Sequence, residues 1–275
     1  MSVGKQTNHH FIPACYLKGF TNGRERDSRL WAFPKDGVKK AYGTNPNNAC
    51  SKNNYYKLEN NTKPLLIEKW YGDVIEPKIG NFLDDLKLNM TLDRNNEGFI
   101  WLLSSLFLRP PLWRNNIESP LRRCKEIAIS MKNDIDAAGE NLDISDINFI
   151  KDDIICIELE QIKTVANSLF YFNFKLCTIQ DNINIITSDA PFILANPDRK
   201  TFGLLSTGTI LLIPINKNMY IVGTKGIPLN GTHYASKYDV ANINTIIWNA
   251  SEERVFSNND KFIMLDDDDN TIFYP

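Results

Sequence analysis

Long apolar runs and paired cysteines are absent from this chain. The longest apolar run, from Phe99 to Leu108, has ten residues, whereas a membrane-spanning helix needs about 20. The five cysteines are scattered and form no CxxC pair, so a cysteine-bound zinc is not expected. The odd, dispersed set of cysteines and the polar start without a secretory signal predict reduced thiols, mostly in the core. We therefore expect a soluble, cytoplasmic protein that does not enter a membrane.

Phosphate-loop and hydrolase motifs are also missing. No Gly-rich phosphate loop, GxGxxG or GxSxG occurs, so Walker NTPases, Rossmann enzymes and α/β hydrolases lose their usual signature. A net charge of −2 gives no global positive field, although a local basic patch can still bind nucleic acid. Two local stretches combine basic and aromatic residues, Trp113–Lys125 and Lys39–Tyr42. They fit either phosphate binding or an ordinary charged helix face and hairpin rim.

Composition and element order together predict the fold class. Hydrophobic residues make up 43% of the 275 residues and charged residues 23%, which is ordinary globular usage. We predict one domain over 1–275, with a helical subregion at about 65–172 and a β-rich subregion at about 173–275. Because helices and strands are segregated along the chain, the predicted class is α+β. An N-terminal hairpin and a short helix come first, and the hairpin is expected to join a mixed or antiparallel C-terminal sheet.

Apolar spacing and turn residues place the individual elements. The predicted helices cover residues 13–20, 65–88 with a kink at Pro77, 96–108, 113–138, 152–172 and 240–250. The predicted strands are 30–33 with 38–41, 174–179 with 183–187, 210–215 with 219–222, and 255–256 and 262–265.

The strongest chemical signal is the adjacent pair His9 and His10, two of only three histidines in the chain. Imidazole is the commonest metal ligand and titrates near neutral pH. A pair of these rings just ahead of Pro13, which can open a helix, is a candidate reactive centre. A structural role is equally open, in which one ring caps that helix and the other bonds a buried carbonyl.

Two carboxylates and an arginine are the next candidates. Glu68 and Glu76 are eight residues apart, so both lie near one face of the predicted helix. They could complete a metal site or act as a general base, or they could belong to a solvated face beside Lys69 and Lys78. Arg109 ends an apolar helix and could clamp a phosphate or a carboxylate in bidentate fashion. The alternative for Arg109 is a buried pair with Glu76 or Asp189.

Asp189 follows a predicted strand and precedes Pro191. A carboxylate at a strand end is a common catalytic position, because loops on a rigid sheet carry function. The other interpretation is an Asx or Ser-Asp turn that starts the next segment.

The ordered set of these segments resembles the family called domain of unknown function 4238. The matching stretches are His9-His10-Phe11-Ile12-Pro13 with Tyr16-Leu17 and Phe20, the Leu30-Trp31 strand, Asn54-Tyr55-Tyr56, Ile67-Glu68 with Glu76, Arg109, Thr187-Ser188-Asp189-Ala190-Pro191, Ile213-Pro214-Ile215, and Asn242 with Ala250. Family members often carry Asn where Ala190 stands. The resemblance implies a fold grouping and supplies no mechanism.

His9-His10-x-x-Pro13 also resembles the opening of the ββα-metal (HNH) nuclease motif. In that motif one residue binds the metal and the adjacent His activates water for attack on a phosphodiester. The stretch Asn47–Asn54 is similar to the motif's central Asn segment. Two features depart from the motif. The third histidine is the distant His233, and the gap from His10 to Asn48 is longer than usual.

The leading hypothesis is a metal-dependent nuclease or phosphodiesterase in bacterial or phage conflict, such as antiviral defence. His10 would be the general base, and His9 would bind Mg²⁺, Mn²⁺ or Zn²⁺ together with Glu68 or Asp189. Arg109 would clamp the phosphate, with Glu76 as a further catalytic carboxylate and nucleic acid as the substrate.

Two alternatives use the same residues. One is an acid–base hydrolase without metal. The other is a non-catalytic binding or regulatory module, whose motif residues form a buried polar network and which acts through a protein partner or as a homo-oligomer. The enzyme requires the candidates to converge in a solvent-open cleft, whereas a buried, mutually bonded arrangement favours the module. Scatter beyond about 15 Å would exclude both.

Overall fold

The computed structural model describes residues 7–274 except 24, 141–142, 144–149, 180–182, 227–228 and 230–232. In chain order the elements are β1 (Asn8–His10), α1 (Ala14–Leu17) with a 3-10 turn (Lys18–Phe20), β2 (Leu30–Pro34), β3 (Tyr42–Thr44), β4 (Ser51–Asn53), α2 (Leu66–Trp70), a π-helical turn (Tyr71–Ile75), α3 (Glu76–Asn89), α4 (Glu97–Leu108), α5 (Pro111–Ala137), α6 (Lys151–Leu169), β5 (Phe172–Ile179), β6 (Thr187–Ser188), β7 (Ile193–Ala195), β8 (Ile210–Asn216), β9 (Met219–Lys225), β10 (His233–Ala235), α7 (Lys237–Ala250), β11 (Arg254–Ser257), β12 (Phe262–Leu265) and β13 (Thr271–Tyr274).

The strands form two larger sheets and two strand pairs. The five-stranded sheet has the order β10-β5-β9-β8-β7. The sheet is mixed, because β10 runs parallel to β5 while all other neighbouring strands of the sheet are antiparallel. The four-stranded sheet has the order β3-β2-β11-β6, so the N-terminal hairpin joins C-terminal strands as predicted. The remaining pairs are β1 with β4 and β12 with β13. The predicted α+β class is confirmed.

Two predicted strands differ from the structure. The hairpin partner of β2 is 42–44 and not 38–41, because the turn is longer than expected. The Asp36 carboxylate accepts the backbone N–H groups of Val38 and Lys39, each at 3.0 Å, and Gly37 adopts a φ of +67°. The predicted strand 183–187 is reduced to β6, which pairs with β11 and not with β5.

The helices lie near their predicted positions, and the main departure is at residues 65–88. There the chain forms α2, one π-helical turn and α3 instead of one kinked helix. Pro77 lies in the first turn of α3, where it has no N–H to donate to the preceding turn. A π-helical turn is one way to accommodate such a lost bond.

The apolar side chains form two core clusters. One cluster joins α1, α3, α4 and α6 to β8 and β9, and the other surrounds α7, β11 and β12. All five cysteines are free thiols, as predicted. Only Cys50 and Cys177 are fully buried, while Cys124 and Cys156 are exposed and therefore not core residues. None of the described helices is both long and apolar enough to cross a bilayer.

Gly98 allows α4 to approach α3 closely, and this gives a stability prediction. A Cβ at Gly98 would overlap the carbonyl oxygen of Lys78 and lie 2.6 Å from the Phe82 Cβ. We expect Gly98→Ala to lower the free energy of unfolding by about 1–3 kcal/mol in urea denaturation, because the helices must separate. Gly80→Ala is the matched control. A Cβ at Gly80, on α3, meets nothing within 4 Å, so this variant should be neutral or slightly more stable.

Candidate functional site

β1, β4 and α2 bring His9 to the centre of a polar cluster. The His9 side chain is fully buried, and its Nδ1 accepts the backbone N–H of Tyr56 at 2.9 Å. The same Nδ1 lies 3.8 Å from Oε2 of Glu68, on α2. Because the Nδ1 lone pair already holds a hydrogen bond, a metal on this ring would have to bind through Nε2.

His10 is partly exposed, and its ring has an assignable tautomer. Its Nε2 lies 3.0 Å from the carbonyl oxygen of Asn47 and 3.2 Å from that of Pro46. Both partners only accept, so Nε2 carries the hydrogen and Nδ1 keeps the lone pair. Burial lowers the pKa of His10, and the charge of Arg109 lowers it further. The charge of Glu76 and the hydrogen bonds to the two carbonyls act in the opposite direction. The ring is therefore neutral at pH 7, with a basic nitrogen.

Arg109 is buried and binds the backbone of the histidine pair. Its side chain is 1% exposed, and one guanidinium nitrogen donates to the carbonyl oxygen of His10 and lies 3.4 Å from Glu76 Oε1. The guanidinium also lies 4.1 Å from the centre of the Tyr71 ring. The structure thus shows the buried Arg109–Glu76 pair, one of the alternatives for this residue. The predicted phosphate contact would require the buried Arg109 guanidinium to become accessible to solvent.

Glu68 and Glu76 are not part of a solvated helix face. Their side chains are only 12% and 13% exposed, and Lys78 pairs with Glu97 instead. Burial raises the pKa of Glu68 to about 7; the Arg109 charge opposes this rise and the Glu76 charge adds to it. Glu68 therefore exchanges its proton near neutral pH. His9, His10, Glu68, Glu76 and Arg109 are called the histidine cluster below.

The raised pKa of Glu68 makes stability depend on pH. Because the folded-state pKa of about 7 exceeds the ordinary 4.5, the folded chain keeps a proton that the unfolded chain releases. The stabilising contribution is complete below pH 4.5 and is lost as pH rises through 7. Allowing for solvent screening, we expect Glu68→Gln to gain about 1–2 kcal/mol over the wild type between pH 5 and pH 8.

Thermal unfolding across that pH range measures this effect. The control is Glu97→Gln, because hydrogen bonds from Lys78 and Trp101 lower the pKa of the Glu97 carboxyl. That variant should not gain stability as pH rises. Parallel pH curves for Glu68→Gln and the wild type would refute the protonation of Glu68.

A second buried polar group, which the sequence analysis missed, lies beside the histidine cluster. Arg114 Nε donates to Oε2 of the fully buried Glu158 at 2.8 Å. The hydroxyls of Tyr56 and Tyr71 donate to the other carboxylate oxygen at 2.9 Å and 3.3 Å. Arg114 also stacks 3.5 Å from the centre of the Tyr55 ring. These five residues are called the Arg114–Glu158 network.

Asp189 lies outside the histidine cluster in the described part of the chain. Its carboxylate accepts backbone N–H groups of Glu252, Glu253 and Arg254 at 3.0, 2.8 and 3.1 Å. Burial raises the pKa of Asp189, and these three bonds oppose the rise. The side chain therefore holds the loop before β11, more than 60 residues further along the chain. The local turn is held by Ser188, whose Oγ accepts the N–H of Ala190 at 3.2 Å. Asp189 also lines a cavity of about 170 Å³ with Phe11 and Arg254, and neither histidine lines this cavity.

The metal hypothesis meets a donor set that fits it poorly. Among the described residues, no group of three or more His, Cys, Asp or Glu side chains is arranged to hold an ion. The His9 nitrogen nearest to Glu68 is Nδ1, and its lone pair already accepts the N–H of Tyr56. The positive charge of Arg109 also acts on Glu68, which disfavours a cation there. The His233 side chain lies outside the described residues. A divalent metal at this site stays a prediction.

Five of the six predicted site residues therefore converge. His9 and Arg109 form a buried floor, whereas His10, Glu68 and Glu76 keep partial contact with solvent. The arrangement is neither an open cleft nor a fully buried network.

The comparisons with known proteins identify a family but no activity. The family described as "Protein of unknown function (DUF4238)" matches residues 8–261, which is nearly the whole chain. No curated protein and no solved structure matches this chain.

Proposed function

We propose, from the premise that the chain belongs to the DUF4238 family of unknown function, that the histidine cluster is the acid–base centre of a nuclease or related phosphodiesterase. One observation carries the proposal. A neutral imidazole with a free basic nitrogen and a carboxyl with a pKa of about 7 lie in one partly exposed cluster. Burial lowers the pKa of His10 and raises that of Glu68, so one group is an unprotonated base and the other a protonated acid. A pair of titratable groups with pKa values shifted in opposite directions is typical of acid–base catalysis.

The chemistry divides between the two groups. Nδ1 of His10 takes a proton from water, and the water oxygen bonds to phosphorus. The protonated Glu68 gives its proton to the leaving oxygen as the phosphorus–oxygen bond breaks. The two proton transfers balance, and release of a proton from His10 with uptake by Glu68 restores the starting state.

Glu76 and Arg109 act as positioning residues in this scheme. Arg109 fixes the backbone carbonyl of His10, and Glu76 holds Arg109 in place. Their opposite charges also bear on the imidazole, since Glu76 raises and Arg109 lowers the pKa of His10.

The local topology also supports the proposal. β1 and β4 are antiparallel and α2 is the next element after them, so His9, His10 and Glu68 come from a strand–strand–helix succession. The predicted Asn-rich stretch does reach the base, because the carbonyl oxygen of Asn47 accepts from His10. Lys52, on β4, pairs in register with His9 and is exposed, which suits a phosphate backbone nearby.

A second candidate function is the binding or regulatory module. The observation that favours it is the mutual bonding of Arg109 with His10 and Glu76, together with the buried Arg114–Glu158 network beside them. Buried polar groups that satisfy one another can hold elements together without any catalysis. The conflict setting, such as antiviral defence, stays a prediction in either case.

The test is cleavage of plasmid DNA, single-stranded DNA and total RNA by the purified protein. Parallel reactions contain EDTA, Mg²⁺ or Mn²⁺. The proposal expects cleavage of at least one substrate near neutral pH. Cleavage that survives EDTA supports the metal-free scheme, whereas strict dependence on an added ion returns His9 and Glu68 to the role of ligands. Absence of cleavage on every substrate would favour the module.

A further inference from the structure

The second half of α5 carries an exposed stripe of apolar and charged side chains. Ile127 and Met131 are 52% and 53% exposed, and the Cys124 thiol beside them is also exposed. Arg123 and Asp134 lie at the two ends of this segment and are exposed as well. Arg123 and Asp134 are eleven positions apart, close to three helical turns, so all five side chains share one face. These five residues are called the α5 stripe.

Ile127 and Met131 lie about one helical turn apart and form one exposed apolar patch, with a charged residue at each end. We propose that the α5 stripe binds a second copy of this chain, with the two α5 helices antiparallel about a two-fold axis. The proposal is independent of the acid–base centre and of any activity.

The order of charges along the helix selects this occupant. In an antiparallel pair centred between residues 128 and 129, Arg123 faces the partner's Asp134, and the symmetric pair forms at the other end. The two ion pairs are about 16 Å apart along the axis, at 1.5 Å per residue. Ile127 and Met131 lie between them and are covered by the same residues of the partner. The stripe is therefore complementary to itself.

Other occupants fit this face less well. A parallel pair would set Arg123 against Arg123 and Asp134 against Asp134, and like charges repel. A nucleic acid would meet Arg123 at one end of this face, but Asp134 would repel its phosphates at the other. One helix pair is smaller than a standard interface, so the dimer should be weak and dependent on concentration.

The test is sedimentation velocity from about 5 to 200 µM, a range that detects weak dimers of this kind. The wild type is expected to self-associate. Arg123→Glu and Asp134→Arg each replace two attractions with two repulsions, so each should weaken association at least tenfold. The decisive sample is an equimolar mixture of the two variants. In it, Glu at 123 of one copy faces Arg at 134 of the other and the remaining pair is native, so association should return.

Several results would overturn the proposal. They are a monomeric wild type at the highest concentration, single variants that associate as the wild type does, or a mixture that stays monomeric while both variants keep the wild-type circular dichroism. Oxidative cross-linking checks the orientation. Two Cys124 residues are about 13 Å apart along the axis in the antiparallel pair but adjacent in a parallel one. A disulfide-linked dimer that Cys124→Ser abolishes would therefore refute the antiparallel arrangement.

Discussion

Replacing Arg114 by methionine is expected to lower the free energy of unfolding by about 3–5 kcal/mol, since it leaves a buried carboxylate without its cation. Glu158 is fully buried, and Arg114 is its only cationic partner among the described residues. The hydroxyls of Tyr56 and Tyr71 would still donate to the carboxylate, but they cannot neutralise its charge. Urea denaturation at pH 7 measures the loss.

A matched double variant separates the unpaired charge from lost packing. Arg114→Met combined with Glu158→Gln removes both charges and keeps an amide that can accept from the tyrosine hydroxyls. We expect it to recover at least half of the loss. A loss below about 1 kcal/mol in Arg114→Met would contradict the geometry and place the pair in the range of solvent-exposed ion pairs.

Replacing His10 by glutamine is expected to lower kcat/KM for phosphodiester cleavage by about 10²–10⁴-fold, because the general base is lost. The fold should survive this change. The glutamine amide N–H can replace the imidazole Nε2–H, which donates to the carbonyl oxygens of Asn47 and Pro46. The free energy of unfolding should therefore stay within about 1 kcal/mol of the wild-type value, because the hydrogen bond to the loop is kept.

His10→Ala is the companion variant, because it removes both the base and the donor. It should be as inactive as the glutamine variant and also less stable by about 1–2 kcal/mol. If His10→Gln keeps full activity, the ring serves only to hold the loop, and His10 is not the general base.

The fold was predictable wherever local chemistry decides the structure. The apolar run from Phe99 to Leu108 and the apolar spacing on α5 and α6 predict helices close to the observed ones. The β8–β9 pair follows from a polar turn between two apolar runs. The pairing of β2 with β11 was a hypothesis, because it joins residues more than 200 positions apart. The reduction of the predicted strand 183–187 to β6 depends on tertiary contacts, which the pattern of apolar and polar residues does not reveal.

The candidate site was also predictable only where local sequence patterns mark its residues. Two adjacent histidines and two carboxylates eight residues apart mark the histidine cluster, and the eight-residue spacing predicts that the two carboxylates lie near one face. Adjacency does not predict a shared face for the histidines, because neighbouring residues of a strand point to opposite sides. The buried pair of Arg109 with Glu76 was one of the alternatives that the sequence offered, but the packing of Arg109 against the Tyr71 ring was not predictable from it. Glu158 did leave a signal, because it shares a helix face with the apolar Ile154 and Val165, and a charge there predicts a buried partner.

The measurement that tests the central claim most directly is the pH dependence of kcat/KM for cleavage, compared between the wild type and Glu68→Gln. The wild-type profile should rise below pH 6.5 as His10 loses its proton and fall near pH 7 as Glu68 loses its own. Glu68→Gln should be slower and should lack the falling limb. A wild-type profile without a fall near pH 7, or the same fall in Glu68→Gln, would contradict the assignment of this pair as the acid–base centre.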